Sequence, residues 1–273
     1  MENICETICD LSDLIKVVNE INSEYKGQVW WRGQSKFTWK LQSSVEREDR
    51  GALYERNIVY RFMQRTPSRC SNFPKDDDHY GWLYLMQHYG LPTRLLDWTE
   101  SPLIATYFAV EDDNYFDIDG AIFALNPYQL NKNQIEKYNL LLSNTHEAKE
   151  IVKPAFIQNF PEYNHVLSIV PCESHLRMMV QLSMFTIHGN KLIIDEIENN
   201  DKFLRKYRIP SSAKKEIVQQ LKFLGIRRSN LFPDLDHLAK EIKGLSFKTY
   251  GDDRTDEIKI EDYTDDSFYP AST

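Results

Sequence analysis

Three groups of residues have the types and spacing to do chemistry. In the first, Trp30 and Trp31 precede Arg32, Gly33 and Gln34. On a strand, Trp31 and Arg32 point to opposite faces, and Gly33 lets a ligand or another backbone come close. A guanidinium offered from a strand end suits bidentate binding of phosphate or carboxylate. The alternative is a structural ion pair, with Asp97 as the partner. The second group runs from Gln87, His88 and Tyr89 through Gly90-Leu91-Pro92 to Thr93, Arg94, Leu95, Leu96, Asp97, Trp98 and Thr99. Two leucines and a tryptophan among these polar residues imply a packed turn over 95–99, in which Gln87, His88, Arg94 and Asp97 would need partners. Ser101 then caps a helix with Pro102 in its first turn. Its free N–H groups and positive end would join Arg32 and Arg94 in an anion site fit for a diphosphate. The alternative is an Arg–Asp–His network that only fixes the turn. In the third group Gln181 lies four residues after Arg177, on the same helical face, and His188 ends a strand. Gln181 and His188 are the candidate catalytic groups, although a lone histidine is more often structural. No Ser-His-Asp spacing, HExxH or P-loop is present. No paired metal-ligand spacing occurs, so no metal is expected.

Periodicity supplies the elements that must position these residues. Residues 11–25 read as an amphipathic helix with Leu14, Ile15, Val18 and Ile21 on one stripe. A short strand at 28–33 and a strand-like Trp39-Lys40-Leu41 follow. Helices are expected over 52–64, with Leu53, Ile58, Phe62 and Met63 inward, and from a start at Asp76 to Asp78 through Trp82, Leu85, Met86 and Tyr89, stopped by Gly90. Another follows Ser101. Strands are expected at 120–125, 166–170, 183–188, 192–197 and 203–209, and helices after Asn126, over 211–224 and up to about 243. Helices and short strands mix without regular βαβ alternation, which predicts an α+β fold: a mixed sheet of short strands with helices around it. The expected organisation is an N-terminal helix (1–25), a core domain (26–200), a basic helical extension (201–250) and a mobile acidic tail (251–273).

Composition bounds the rest. Apolar residues make up 41% and aromatics 12%, ample for a packed core. Eight acidic and two basic side chains in 251–273 carry −6 of the −8 net charge. The remainder therefore shows no global basic footprint. Nine Lys and Arg residues do cluster between Lys202 and Arg228, leaving a local nucleic-acid contact open, with a solvated helix face as the favoured reading. Four cysteines form no ligand pair of pairs, and the start lacks a basic, apolar leader. A cytoplasmic protein with no membrane association is expected.

The motif Trp31-Arg32-Gly33-Gln34, the run Gln87 to Thr99, and Ser101-Pro102-Leu103 through Tyr107-Phe108-Ala109 together resemble the FRG-domain family over about residues 25–126. Gln181, Phe185-Thr186 and Leu231-Phe232-Pro233-Asp234-Leu235 resemble its extended members, and Trp31 departs from the usual Phe or Tyr. The resemblance implies a bacterial protein, with a toxin-like effector role in conflict or phage defence. More weakly, the layout is similar to that of ADP-ribosyltransferases. This implies NAD as cofactor, with Arg32, Gly33, Gln34, His88, Tyr89, Thr93, Arg94, Asp97, Trp98, Thr99 and Ser101 around it and Gln181 or His188 facing the ribose. That fold's late glutamate has no counterpart after Arg177, and a glutamine cannot serve as a base. Two readings follow. One is a nucleotide-binding protein acting as an NAD-dependent transferase. The other is a non-catalytic sensor or interaction module that takes a nucleotide or other anion and a protein partner.

Overall fold

The computed structural model describes residues 7–47, 51–161, 163–172, 176–189 and 192–249. The acidic stretch 251–273 and Cys5 lie outside them.

Asp10 caps α1 (Leu11–Glu24), whose Leu11, Leu14, Val17 and Ile21 are buried. Ile15, expected inward, is 59% exposed. After α1 come β1 (Trp30–Gln34), α2 (Ser44–Arg47), α3 (Gly51–Arg65), α4 (His79–His88), β2 (Leu95–Thr99), α5 (Pro102–Val110), β3 (Gly120–Leu125) and α6 (Pro127–Ile135). The rest of the chain forms β4 (Leu141–Leu142), α7 (His146–Val152), β5 (Val166–Val170), α8 (Leu176–Val180), β6 (Ser183–His188), β7 (Leu204–Ile209), α9 (Ser211–Phe223), α10 (Arg228–Leu231) and α11 (Leu235–Thr249). The strands form one sheet in the order β4-β5-β6-β2-β1-β3-β7. Its pairings are antiparallel except β4 with β5, so the fold is α+β with a mixed sheet.

Residues 95–99 are not a turn. They are an inner strand, paired along its whole length with β6. Both faces of β2 are covered, Leu95 by the α4 and α7 side and Leu96 and Trp98 by the opposite core, so its apolar residues run on without alternation. Two other expected strands are absent. Trp39-Lys40-Leu41 lies in a loop, and 192–197 makes one turn of 3₁₀ helix at Ile194–Glu196. Single bonds join these segments: Leu41 N donates to Asp195 Oδ1 at 2.8 Å and Ile194 N to Leu41 O at 3.1 Å. That is too few bonds for a ladder. On α3, Leu53 is 65% exposed rather than inward.

The region expected as a C-terminal extension begins inside the sheet. β7 pairs with β3 along its length, and Ile217 and Leu221 of α9 share one core with α1, α5 and β1. Its positive charges are largely committed. Lys214 is buried and donates to the carbonyls of Ser35 and Tyr115, while Arg205, Arg208 and Arg228 pair with Glu24, Asp119 and Glu111. Among the described residues, no helix is long and apolar enough to cross a membrane.

Candidate functional site

The sheet is split where the candidate residues lie. β1 pairs with β3 over its full length but meets β2 at only one register position, Trp31 opposite Thr99. Beyond that point the two strands part. A cleft of about 270 Å³ occupies the gap, lined on one side by Arg32 to Ser35 and on the other by Asp97 to Thr99. Arg32 reaches across it, and its Nη1 donates to the Asp97 carbonyl at 2.6 Å.

Gly33 explains how the helix closes this cleft. A Cβ there would sit 1.8 Å from the Ala105 carbonyl oxygen, so only glycine lets α5 lie flat on β1. The close approach expected at Gly33 is therefore that of another backbone, and Ala105 and Phe108 of α5 become a wall of the cleft.

Two more arginines complete the lining, Arg47 from α2 and Arg177 from α8. The short α2 is anchored at its start, where Val45 N and the Ser44 hydroxyl both donate to the Thr93 carbonyl. Arg47 curls back so that Nε and Nη2 donate to Gln42 O. Arg177 stacks on Phe232, 4.4 Å from the ring centroid, and Gln181 donates its amide to Leu231 O at 2.9 Å. Burial lowers the pKa of all three guanidinium groups, that of Arg32 to about 10, so each stays charged at neutral pH. Asp97 is the one carboxylate in the lining among the described residues and partly offsets them. Its Oδ2 accepts from Gln87 Nε2 at 2.8 Å, and Gln87 in turn accepts from the Thr93 hydroxyl. Two side-chain atoms of the lining residues are buried without a hydrogen-bond partner, Arg32 Nε and Gln34 Oε1.

Several expected site residues lie elsewhere, or line the cleft with their polar groups already spent on internal bonds. Arg94 does not share the cleft. It is 4% exposed, and its Nε donates to Glu55 Oε1 at 2.9 Å while Nη1 donates to Ile151 O at 2.8 Å. The pairing that consumes it, with a carboxylate thirty-nine positions away, had no local signature. His188 is fully buried, with Nδ1 against Leu192 O at 2.9 Å and Nε2 3.3 Å from the Thr186 hydroxyl. Burial pushes its pKa down to about 4, and it does not line the cleft. Tyr89 is 63% exposed and borders a different cavity. The Trp98 ring is buried and its indole N–H donates to Thr186 Oγ1, so it offers no free face for stacking. The Thr99 hydroxyl donates to Gln181 O. Ser101 caps α5 by accepting from Ile104 N, but the helix end is outside the lining. His88 borders a smaller hollow beside Arg177, and its carbonyl faces Arg177 Nη1 at 3.5 Å. Among the described residues no group of three or more His, Cys, Asp or Glu could hold a metal ion.

The elements from β1 to α5, with the Arg32, Arg47 and Asp97 walls, coincide with a family match: the FRG domain model matches residues 27–117. The chain carries an FRG domain. The matched span lies inside the expected 25–126 and leaves Arg177, Gln181 and β6 outside it. The cleft is therefore built from the FRG segment and closed by elements that follow it. No curated protein and no solved structure matches the chain.

Proposed function

We propose that the cleft at the split between β1 and β2 binds a phosphate-bearing small molecule of the nucleotide class. The observation that carries this reading is the convergence of Arg32, Arg47 and Arg177 on one cavity in which Asp97 is the one carboxylate among the described residues. Three guanidinium groups held close together repel one another, and an anion relieves that cost while gaining charge-assisted hydrogen bonds. Arg32 Nε and Gln34 Oε1, on two of the lining residues, are buried without a hydrogen-bond partner, which leaves one donor and one acceptor unsatisfied beside the cleft. Trp39, 39% exposed, and Phe108 add aromatic surface for a base.

The cleft, at about 270 Å³, lies at the low end of ligand pockets, which run roughly 300–1,000 Å³. It suits a diphosphate with one ring attached better than a whole dinucleotide. NAD would fit through its diphosphate, held by the three arginines, with one nucleoside end left outside. When bound, it would supply an activated ribose for transfer.

Binding without turnover is the version best supported. His188 is buried with both ring nitrogens engaged, and Gln181 spends its amide on a backbone carbonyl. Transferase activity is the second reading, and Asp97 favours it as the one carboxylate at the cleft, among the described residues, that could accept a hydroxyl proton. A toxin-like effector or phage-defence role would follow from that version. The test is thermal stabilisation by ADP and NAD, expected in the parent and lost in Arg32→Ala. Stabilisation that survives the substitution would sink the proposal. Release of nicotinamide from labelled NAD would separate the transferase from the sensor.

A further inference from the structure

A second cavity, larger than the first and sharing no residue with it, lies between α3 and the loop after α4. It encloses about 520 Å³ against about 270 Å³ for the arginine cleft. Ile58, Phe62 and Leu91, with the exposed ring of Tyr89, form its apolar part. Arg61, Arg65 and Arg69 lie along its edge at four-residue spacing, which brings successive side chains to one side of the helix and the turn that continues it. Among the described residues no carboxylate is in the lining. The Arg69 guanidinium donates to Arg65 O and Ser68 Oγ, and among the described residues no ion pair is formed by Arg61, Arg65 or Arg69. Other surface arginines are ion-paired, Arg205 with Glu24, Arg208 with Asp119 and Arg228 with Glu111.

We propose that this cavity is a binding site for a single-tailed amphipathic anion, an acyl or alkyl chain ending in a carboxylate or phosphate. Each simpler ligand leaves part of the site unsatisfied. A small hydrophilic anion would answer the arginines but leave the apolar wall wet. A neutral hydrocarbon would cover Phe62 and Leu91 but leave three like charges side by side at its edge. A chain with a charged head does both, the tail along Ile58, Phe62 and Leu91 and the head among the arginines. The proposal is independent of the ligand assigned to the first cleft.

Cys70 gives a readout confined to this cavity, because it lines it as a free thiol while Cys9 and Cys172 are free and exposed elsewhere. The experiment is alkylation by iodoacetamide, read residue by residue by mass spectrometry, with dodecanoate or dodecyl phosphate below their micellar concentrations. Labelling of Cys70 should slow saturably while Cys9 and Cys172 are unaffected. Arg61 and Arg65 are exposed, so the double variant Arg61→Ala/Arg65→Ala should fold normally and need roughly tenfold more ligand for the same protection. Arg32→Ala should protect like the parent. Whichever head group protects at lower concentration identifies the natural class. The proposal is overturned if neither anion protects Cys70 selectively, if dodecyltrimethylammonium protects equally well, or if the double variant behaves as the parent.

Discussion

Arg32 and Arg94 stand at two ends of the same structural unit, and the fold treats them in opposite ways. Arg94, just before β2, is enclosed with Glu55, itself 2% exposed, so two full charges cancel inside the core. Arg32, on β1, bridges a gap in the sheet, holds one backbone carbonyl and leaves Nε unpartnered at the cleft. One guanidinium ties α3 to the sheet, and the other is kept available. A buried arginine matched to a carboxylate is a structural part, whereas an arginine at a strand split with spare donors can serve a ligand.

The largest expected effect falls on the structural member. Arg94→Ala or Glu55→Ala leaves a buried charge without its partner and should cost about 3–5 kcal/mol in urea denaturation. Arg32→Ala, which loses one hydrogen bond beside an open cleft, should cost no more than about 1.5 kcal/mol. Equal losses would erase the contrast.

His188, buried at the end of β6, sharpens it, since burial holds its pKa near 4 against about 6.5 in an unfolded chain. Between those values the unfolded state binds a proton that the native state refuses. The stability this confers is complete above about pH 6.5 and declines as pH falls towards 4, by about 3 kcal/mol in all. His188→Gln should flatten that part of the pH profile, measured as the change in urea midpoint between pH 7.5 and 4.5.

Gly33→Ala tests the wall itself. Its Cβ would strike the Ala105 carbonyl and push α5 off β1, at about 1–3 kcal/mol, visible as a lowered melting temperature. The smallest effect belongs to Arg47→Ala on the exposed side of the cleft. It should weaken ADP binding roughly tenfold in calorimetry and leave stability within about 0.5 kcal/mol.

Much of the frame was legible because local rules decide it. Asp10, Ser101 and Asn126 cap the helices they precede, and Gly90 and Gly225 take positive φ where α4 and α9 end. The strand at 120–125 follows from its unbroken apolar run. The strand at 95–99 was read as a turn because a doubly covered strand loses its alternation and sits between two strong helix signals. In the site, Arg32, Gly33 and Gln34 were legible from the motif, and Gln181 was placed beside Arg177 by helical spacing. Arg47 was not, since nothing around residue 47 marks it until Thr93 anchors α2 against β2.

By itself the sequence determined most of which segments coil or extend, that they build an α+β core, and that Arg32 belongs to the motif inside the FRG match. Tertiary structure alone decided that Arg94 turns inward to Glu55, that β1 and β2 part after Trp31, and that Arg47 and Arg177 come to Arg32. The reason is range. Caps, stops and periodicity act over a few residues, while the partner of a charge is chosen by packing between segments dozens of positions apart.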